Sequence, residues 1–388
     1  MDLTFTPDEQ AFRDEVRTWL SENAPSEPLP SGDTADGFAL HLEWERKLFD
    51  ARWSVVSWPR EYGGREATLM EWLIFEEEYW LAGAPNRVTQ NGIFLLAPTV
   101  FEFGTAEQQD RILPRMAAAE ELWCQGWSEP DAGSDLAAIK SRAERDDDAG
   151  GWRIYGQKTW TTRGAFCDKL FGLFRTDPDA ERHRGMTYLL VDLDAEGVTV
   201  RGVDRLDGDE GFAEVFFDGA FVPDADVLGG VNQGWSVAMS TTGSERGLTL
   251  RSPGRFMATA HRLVDLHRRC REEAAPDLRD AVARAWIQAE AYRWYTFATV
   301  TRMVDGHQPG AESSLNKIFW SELDVDMHRT ALDLLGSGAE LDEGAEGATD
   351  AGLWMKGYQF ALSGPIYAGT NEIQRNIAAE RVLGLPRK

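Results

Sequence analysis

MTYLLVDLD (186–194), VTVRGV (198–203) and AEVFFDGAFV (213–222) follow one another at short intervals, and WRIYGQKTW (152–160) and KLFGLFRT (169–176) precede them. All five runs are rich in β-branched and aromatic residues, which fit a pleated, half-buried surface. The span 122–231 is therefore read as a β domain. DDDAGG (146–151) and DPDAERHRG (177–185) collect charge, proline and glycine without apolar periodicity, so they are read as exposed turns or loops of that domain.

Outward from this block the period becomes helical on both sides. Residues 1–121 open with Thr6, Pro7 and Glu9, a helix-start signal, after which Phe12, Val16, Trp19 and Leu20 share one face and Pro25, Pro28 and Pro30 end the helix. Leu40, Trp44 and Leu48 form a second stripe and Trp72, Phe75 and Tyr79 a third; Thr105 with Gln108 caps a fourth segment leading to Ile112. In 232–388, Val282, Ala285, Trp286 and Ala289 share one face, and Phe319, Leu323, Met327, Ala331 and Leu334 another. Pro253 is expected to kink or interrupt the first helix of this part. GSGAELDEGAEGATDAG (336–352) reads as a glycine-rich acidic loop. The expected fold class is α+β and multidomain: helices in 1–121, β structure in 122–231, helices in 232–388.

At 388 residues the chain is long enough for two or three domains. Hydrophobic residues at 43% and charged residues at 27% fit a soluble globular protein, and no apolar run reaches the roughly 18 residues of a membrane helix. The start MDLTFTPDEQAF lacks a secretory signal pattern, so a cytoplasmic location is expected. Cys124, Cys167 and Cys270 are odd in number and far apart, which predicts reduced thiols and no zinc site. With 65 acidic against 40 basic residues the net charge is −25, which repels nucleic-acid phosphates and anionic lipid. No metal site is expected: the six histidines are dispersed, and His261 and His267 are not spaced to share a helix face.

The familiar dinucleotide, phosphate-loop, zinc-protease and hydrolase motifs are absent. What the chain offers instead is small polar residues beside aromatics. WSEPDAGSDL (127–136) follows an apolar run ending in Gly126 and combines two serines with a tight turn whose N–H groups suit an anion such as a pyrophosphate. GQKTWTTRG (156–164) sets Trp160 beside Thr161 and Thr162, an indole face next to hydroxyl donors that suits a flat polar ring. PIYAGTNEIQRNIAAERVLGLPR (365–387) is a small-residue turn that becomes a helix near Asn371. Taken singly, each also reads as an ordinary turn, strand or capped helix.

In this order the clusters resemble the acyl-CoA dehydrogenase family. WPREYGG (58–64), WSEPDAGSD, GQKTWTT, FAEVFFDGAFVP (212–223), GGVNQGW (229–235) and IYAGTNEIQRNIAAERVLG (366–384) match its landmarks at similar spacing across nearly the whole chain. The resemblance implies an N-terminal helical domain, a middle β-barrel-like domain and a C-terminal four-helix bundle, with FAD held between the last two. It implies that Gln125, Gly126, Trp127, Ser128 and Ser134 lie along the flavin and its pyrophosphate, and that Trp160, Thr161 and Thr162 flank the ring. Thr370, Asn371 and Glu372 match positions that approach the cofactor. Arg246, Tyr367 and Gly369 match positions that touch the acyl thioester or its CoA arm.

The implied reaction needs a base for the α-proton while the flavin takes the β-hydride. The commonest family position for that glutamate is held here by Ala368, whereas a minority branch carries it just before the family arginine, the place of Glu245 in GSERG. Glu245 is the expected base, and an apolar acyl pocket is expected to raise its pKa. By composition alone a glutamate beside an arginine on a helix would be a solvated ion pair.

Two departures concern assembly. Where the family often has an Arg-x-x-Phe-Gly stretch reaching a neighbouring subunit's FAD, this chain has HRRCREEAAPDLRD (267–280), and Asp333 to Ser337 replace a Gln-x-x-Gly-Gly segment. The expected assembly is a homodimer or homotetramer with a modified site, or a heteromer in which a related chain supplies those contacts. The leading expectation is an acyl-CoA dehydrogenase acting on an acyl thioester of CoA or acyl carrier protein and passing electrons to an electron-transfer flavoprotein. A non-catalytic or FAD-sharing subunit and an O₂-using oxidase are the alternatives.

Overall fold

The computed structural model describes residues 4–270, 276–307 and 310–386, with the side chains of 244–252 and 276 outside that description. Along the chain run α1 (Pro7–Asn23), α2 (Ala35–Asp50), α3 (Leu69–Leu81), α4 (Ala97–Phe103) and α5 (Ala106–Ala117). Then come β1 (Trp123–Gly126), β2 (Arg142–Asp146), β3 (Gly151–Lys158), β4 (Lys169–Arg175), β5 (Met186–Asp192), β6 (Val198–Val203), β7 (Phe212–Pro223) and β8 (Val227–Leu228). The rest is helical: α6 (Gly234–Cys270), α7 (Pro276–Val304), α8 (Ser313–Leu335), α9 (Leu353–Ala361) and α10 (Asn371–Ile377). The chain packs as two compact units, one of Met1–Ser26, Thr68–Ala84 and Leu248–Lys388, the other of Glu27–Ala67 and Pro85–Gly247.

The helix starts follow from local chemistry. Thr6, Thr68 and Thr105 each accept the backbone N–H three residues on, while Glu9, Glu71 and Gln108 reach back to the cap N–H, forming three capping boxes.

In the first unit, Phe256, Leu263, Ala289, Met327 and Ala331 belong to one core cluster shared by α6, α7 and α8. Gly254 lets α6 come close to α3, because a Cβ there would stand 2.7 Å from the Glu76 carbonyl oxygen. Of the two expected effects of Pro253, interruption does not occur: α6 runs from Gly234 to Cys270. The buried residues Phe256, Met257, Ala260, Leu263 and Leu266 follow it, and their packing outweighs the roughly 3 kcal/mol a helix-interior proline costs. Charge is also used inside this unit: Glu78 accepts from Arg13 Nε at 2.5 Å and Arg17 Nε at 2.7 Å, and Glu77 pairs with Arg293.

The second unit is built on an eight-stranded sheet, ordered β6-β7-β3-β2-β4-β5-β8 with β1 added parallel to β4. All five sequence runs are strands; β1, β2 and β8 are additional. In β2, RAERD, only Ala143 is buried, so its alternation is carried by one small residue between charges. The stripe on α2 is also rotated from expectation. Trp44 and Leu48 are buried but Leu40 is 38% exposed, because the inward face takes in His41 and Glu45, which have polar partners. Glu45 pairs with Arg87 at 2.7 Å, and His41 contacts the Pro30 and Asn86 carbonyls. Gly234 seats the start of α6 against β5, since a Cβ would lie 2.7 Å from the Thr187 carbonyl carbon.

Candidate active site

The flavin-related motifs of the second unit start from β1, which is parallel to β4 and delivers Gln125 and Gly126 to the sheet end. Gly126 is required there, as a Cβ would meet the Leu170 side chain at 2.7 Å. Beyond it the chain passes Trp127 and Ser128 and folds into a turn closed by reciprocal backbone bonds between Glu129 and Ala132, at 2.9 and 3.0 Å. Ser128 is half-buried and Ser134 exposed.

GQKTWTT comes alongside as the end of β3. Thr159 N–H donates to the Ser128 carbonyl at 2.9 Å, so the two motifs are joined through their backbones. They are joined again beneath the surface. Lys158 Nζ, fully buried, donates to Glu129 Oε1 at 2.8 Å and to the Leu173 carbonyl at 2.8 Å. The Glu129 carboxylate also receives the Lys140 and Ser141 backbone N–H groups, at 2.5 and 2.9 Å. Burial pushes the Glu129 carboxyl up and the Lys158 ammonium down. For the carboxylate, Lys158 and the backbone donors outweigh burial and hold it below its ordinary value, so the pair is ionised.

Past Lys158 the backbone turns left-handed. Trp160 has φ +57° and Arg163 φ +55°, a sparsely populated region for non-glycine residues. Thr161 is tied to Ala213 by backbone bonds in both directions, at 3.0 and 2.9 Å. The turn holds the Trp160 indole out, 61% exposed and edge-on to Phe212 at 5.7 Å, whereas Thr161 is fully buried and Thr162 half-buried. Large aromatics seldom stand so far out of a fold without a partner. The Thr161 hydroxyl and the Trp127 indole N–H have no hydrogen-bond partner among the described residues.

The first unit carries the remaining motif. Ile366 and Tyr367 close a turn by donating their backbone N–H groups to the Ser363 carbonyl, and Ala368 (φ +53°) and Gly369 (φ +76°) are both left-handed. Gln374 Nε2 holds this pair by donating to the Ala368 carbonyl at 3.1 Å. Thr370 then caps α10 by accepting the Ile373 N–H at 3.2 Å. Asn371 turns inward: its Oδ1 accepts from Lys317 Nζ at 2.9 Å and Ser321 Oγ at 3.1 Å. Glu372 is exposed. Burial brings the Lys317 ammonium down to about 8. Burial raises the Tyr367 phenol to about 12, although the residue is 38% exposed; its hydroxyl is paired with Arg255, whose guanidinium binds Asp324.

Glu245 and Arg246 fall on α6, and their side chains lie outside the described residues, as does Arg271. Arg268 and Arg269, near the missing arginine stretch, are engaged within the chain, by Asp265 at 2.8 Å and Asp350 at 2.7 Å. Of the groups that shape the site, sequence reading passed over Lys158, Glu129, Lys317 and Arg255. The first two were visible as opposite charges inside the two motifs, Glu129 in one and Lys158 in the other.

Three family profiles cover the chain: acyl-CoA dehydrogenase N-terminal domain over 6–120, middle domain over 124–220 and C-terminal domain over 232–383. The chain belongs to the acyl-CoA dehydrogenase family. It is similar to acyl-CoA dehydrogenase IpdE1 of Mycobacterium tuberculosis, 40% identical over 390 residues that cover 98% of this chain and 99% of the relative. IpdE1 of Mycolicibacterium smegmatis is 39% identical, with 98% of each chain covered. Among solved structures, a steroid acyl-CoA dehydrogenase described as Tcur3481-Tcur3483 matches all of both chains at 27% identity and TM-score 0.89. The ChsE4-ChsE5 complex from Mycobacterium tuberculosis matches all of both chains at 28% identity and TM-score 0.84. The protein is therefore an acyl-CoA dehydrogenase, an oxidoreductase of a flavoprotein family, and among the described residues no helix is long and apolar enough to cross a membrane.

Proposed function

We propose that this acyl-CoA dehydrogenase binds FAD, oxidises the α,β bond of an acyl thioester and passes the electrons to an electron-transfer flavoprotein. The observation that carries the cofactor reading is Trp160, held out by a left-handed turn beside Thr161 and Thr162 and fastened to Ser128. A flat face, hydroxyl donors and a rigid backbone are what an isoalloxazine ring needs, so these residues fit FAD. FAD supplies the acceptor for the β-hydride. Trp160, Thr161 and Thr162 flank its ring, while Gln125 to Ser128 and Ser134 follow the ring edge and pyrophosphate.

Glu245 takes the α-proton, since Ala368 leaves the common base position without a carboxylate. Arg246, Tyr367 and Gly369 hold the thioester and its carrier. Tyr367 serves as a neutral donor: its phenol stays protonated across the physiological range, and Arg255 fixes its hydroxyl. Thr370 and Glu372 approach the cofactor at the start of α10. Asn371 acts through its backbone, because its side chain is bound to Lys317 and Ser321.

A heteromer is the favoured assembly. Arg268 and Arg269 are paired with Asp265 and Asp350 rather than left for a neighbour's adenosine diphosphate, and two similar solved structures are each described by a pair of protein names, one of them as a complex. A related chain then contributes the contacts that HRRCREEAAPDLRD lacks. A polycyclic acyl thioester belongs in the substrate panel because one of those structures is described as a steroid enzyme. The test is anaerobic titration of the FAD-loaded protein, alone and with a co-expressed related chain, against straight, branched and steroid-side-chain acyl-CoA and acyl carrier protein thioesters. Bleaching of oxidised flavin by at least one thioester supports the reading. Protein that cannot be reconstituted with FAD in either form overturns it.

A further inference from the structure

The Trp160 turn is tied to a part of the chain that carries no family landmark. Asp33 lies at the end of the proline-rich segment before α2 and is buried, 6% exposed. Its Oδ1 is 2.6 Å from Arg163 Nε, and its Oδ2 accepts from Arg205 Nη1 at 2.5 Å. Arg205 in turn holds Asp207 at 2.8 Å, and Asp209 receives the Ser31 hydroxyl at 2.5 Å. The segment bearing Asp33 is thus anchored on both sides. His41 of α2 contacts the Pro30 carbonyl at 3.1 Å, and Phe38 stacks on Phe166, ring centroids 5.0 Å apart, in the short turn that follows Arg163.

Two non-glycine residues three positions apart, Trp160 and Arg163, occupy left-handed backbone in this turn. Such conformations persist where the surroundings over-determine them. Here the surroundings are the backbone bonds of Thr161 to Ala213 and Arg163 to Gly211, the Asn91 amide donating to the Thr162 carbonyl at 3.5 Å, and the charged grip on Arg163. The grip is electrostatic: the Arg163 guanidinium and the Asp33 carboxylate stand 2.6 Å apart, both largely buried, without a hydrogen bond of good geometry between them.

We infer that Asp33 is a positioning residue for the cofactor: through Arg163 it fixes the left-handed turn that presents Trp160 and Thr162 to the flavin. The inference rests on the FAD reading above. Asp33 touches no reacting atom. Its effect on the turn travels through Arg163, so removing Asp33 should disturb the turn at least as much as removing Arg163, because it also loosens Arg205.

The test uses the full-length protein reconstituted with FAD, with its partner chain if one is required. Arg163→Gly removes the grip while accepting the left-handed backbone without steric cost, and leaves Asp33 paired with Arg205. Asp33→Asn removes it from the other end. Each variant should weaken FAD binding by about tenfold and raise the residual fluorescence of bound FAD, because a displaced indole quenches the stacked ring less. The double variant should be no weaker than the worse single one, since both cut the same link. A merely structural role would lower the unfolding midpoint but leave bound-flavin emission at the wild-type level. Wild-type FAD affinity and emission in Arg163→Gly would overturn the inference, as would additive losses in the double variant. If Asp33→Asn does not fold, Arg163→Gly alone decides. Failure of the wild type to bind FAD is a separate result, and it defeats the cofactor reading instead.

Discussion

Replacing Lys158 by Met should be among the most damaging single changes in the second unit, and its cost follows from what is left behind. The ammonium is fully buried and Glu129 is 7% exposed, so Lys158→Met strands a carboxylate that keeps only the Lys140 and Ser141 N–H groups. Removing one member of a buried pair costs about 3–5 kcal/mol, a drop of roughly 10²–10⁴ in the folding equilibrium. Lys158→Met with Glu129→Gln removes both charges and should recover about 1–3 kcal/mol of that loss. Urea unfolding of the four proteins, followed by tryptophan fluorescence, gives the cycle. The pH dependence carries a sign of its own. In the wild type Glu129 titrates below its ordinary value, so its contribution is complete above about 4.3 and is lost as the pH falls through the lowered folded value. In Lys158→Met burial acts without the cation and the folded carboxyl moves above its unfolded value, so the deficit should shrink as the pH falls from about 7 to about 4. A loss below about 1 kcal/mol, or a deficit that does not change with pH, would refute the claim that an ionised pair joins the two motifs.

Lys317→Met should show a slope of the same sign in a more alkaline range. Burial lowers the folded Lys317 ammonium to about 8 against about 10.4 when unfolded, so wild-type stability should gain on the variant as the pH rises between those values, read by urea midpoints. Tyr367→Phe should leave FAD content unchanged and raise the thioester KM, because the hydroxyl held by Arg255 is lost; an unchanged KM in steady-state assays would remove Tyr367 from substrate binding. Glu245→Gln with Ala368→Glu should recover part of the flavin reduction lost in Glu245→Gln alone, measured anaerobically, as the second change restores a carboxylate at the common family position. Aerobic turnover without an added acceptor should release little peroxide, and stoichiometric peroxide would favour an oxidase.

The three zones were legible because they rest on periodicity and capping chemistry, which act within a few residues. The Thr6, Thr68 and Thr105 capping boxes and the five long strand runs are local patterns. The strands that escaped notice are short or charged: β8 has two residues, and β2 buries only Ala143. Leu40 lies outside its expected stripe and α6 continues past Pro253 for a common reason, that tertiary partners decided both. Glu45 found Arg87 and turned the face of α2, and the packed apolar side of α6 carried the helix through its proline. The motif residues of the site were visible as sequence, but the groups beneath them were not. Lys158 meets Glu129 across 29 residues, Lys317 meets Asn371 across 54 and Arg205 meets Asp33 across 172, and no local pattern encodes such pairings.

The most direct test of the central claim is anaerobic stopped-flow reduction of the FAD-loaded protein by its best thioester, wild type against Glu245→Gln, with flavin content measured in both. The account predicts equal FAD content, retained thioester binding and a reduction rate lower by about 10²–10⁴-fold in the variant. Near-normal reduction in Glu245→Gln at unchanged FAD content would contradict it.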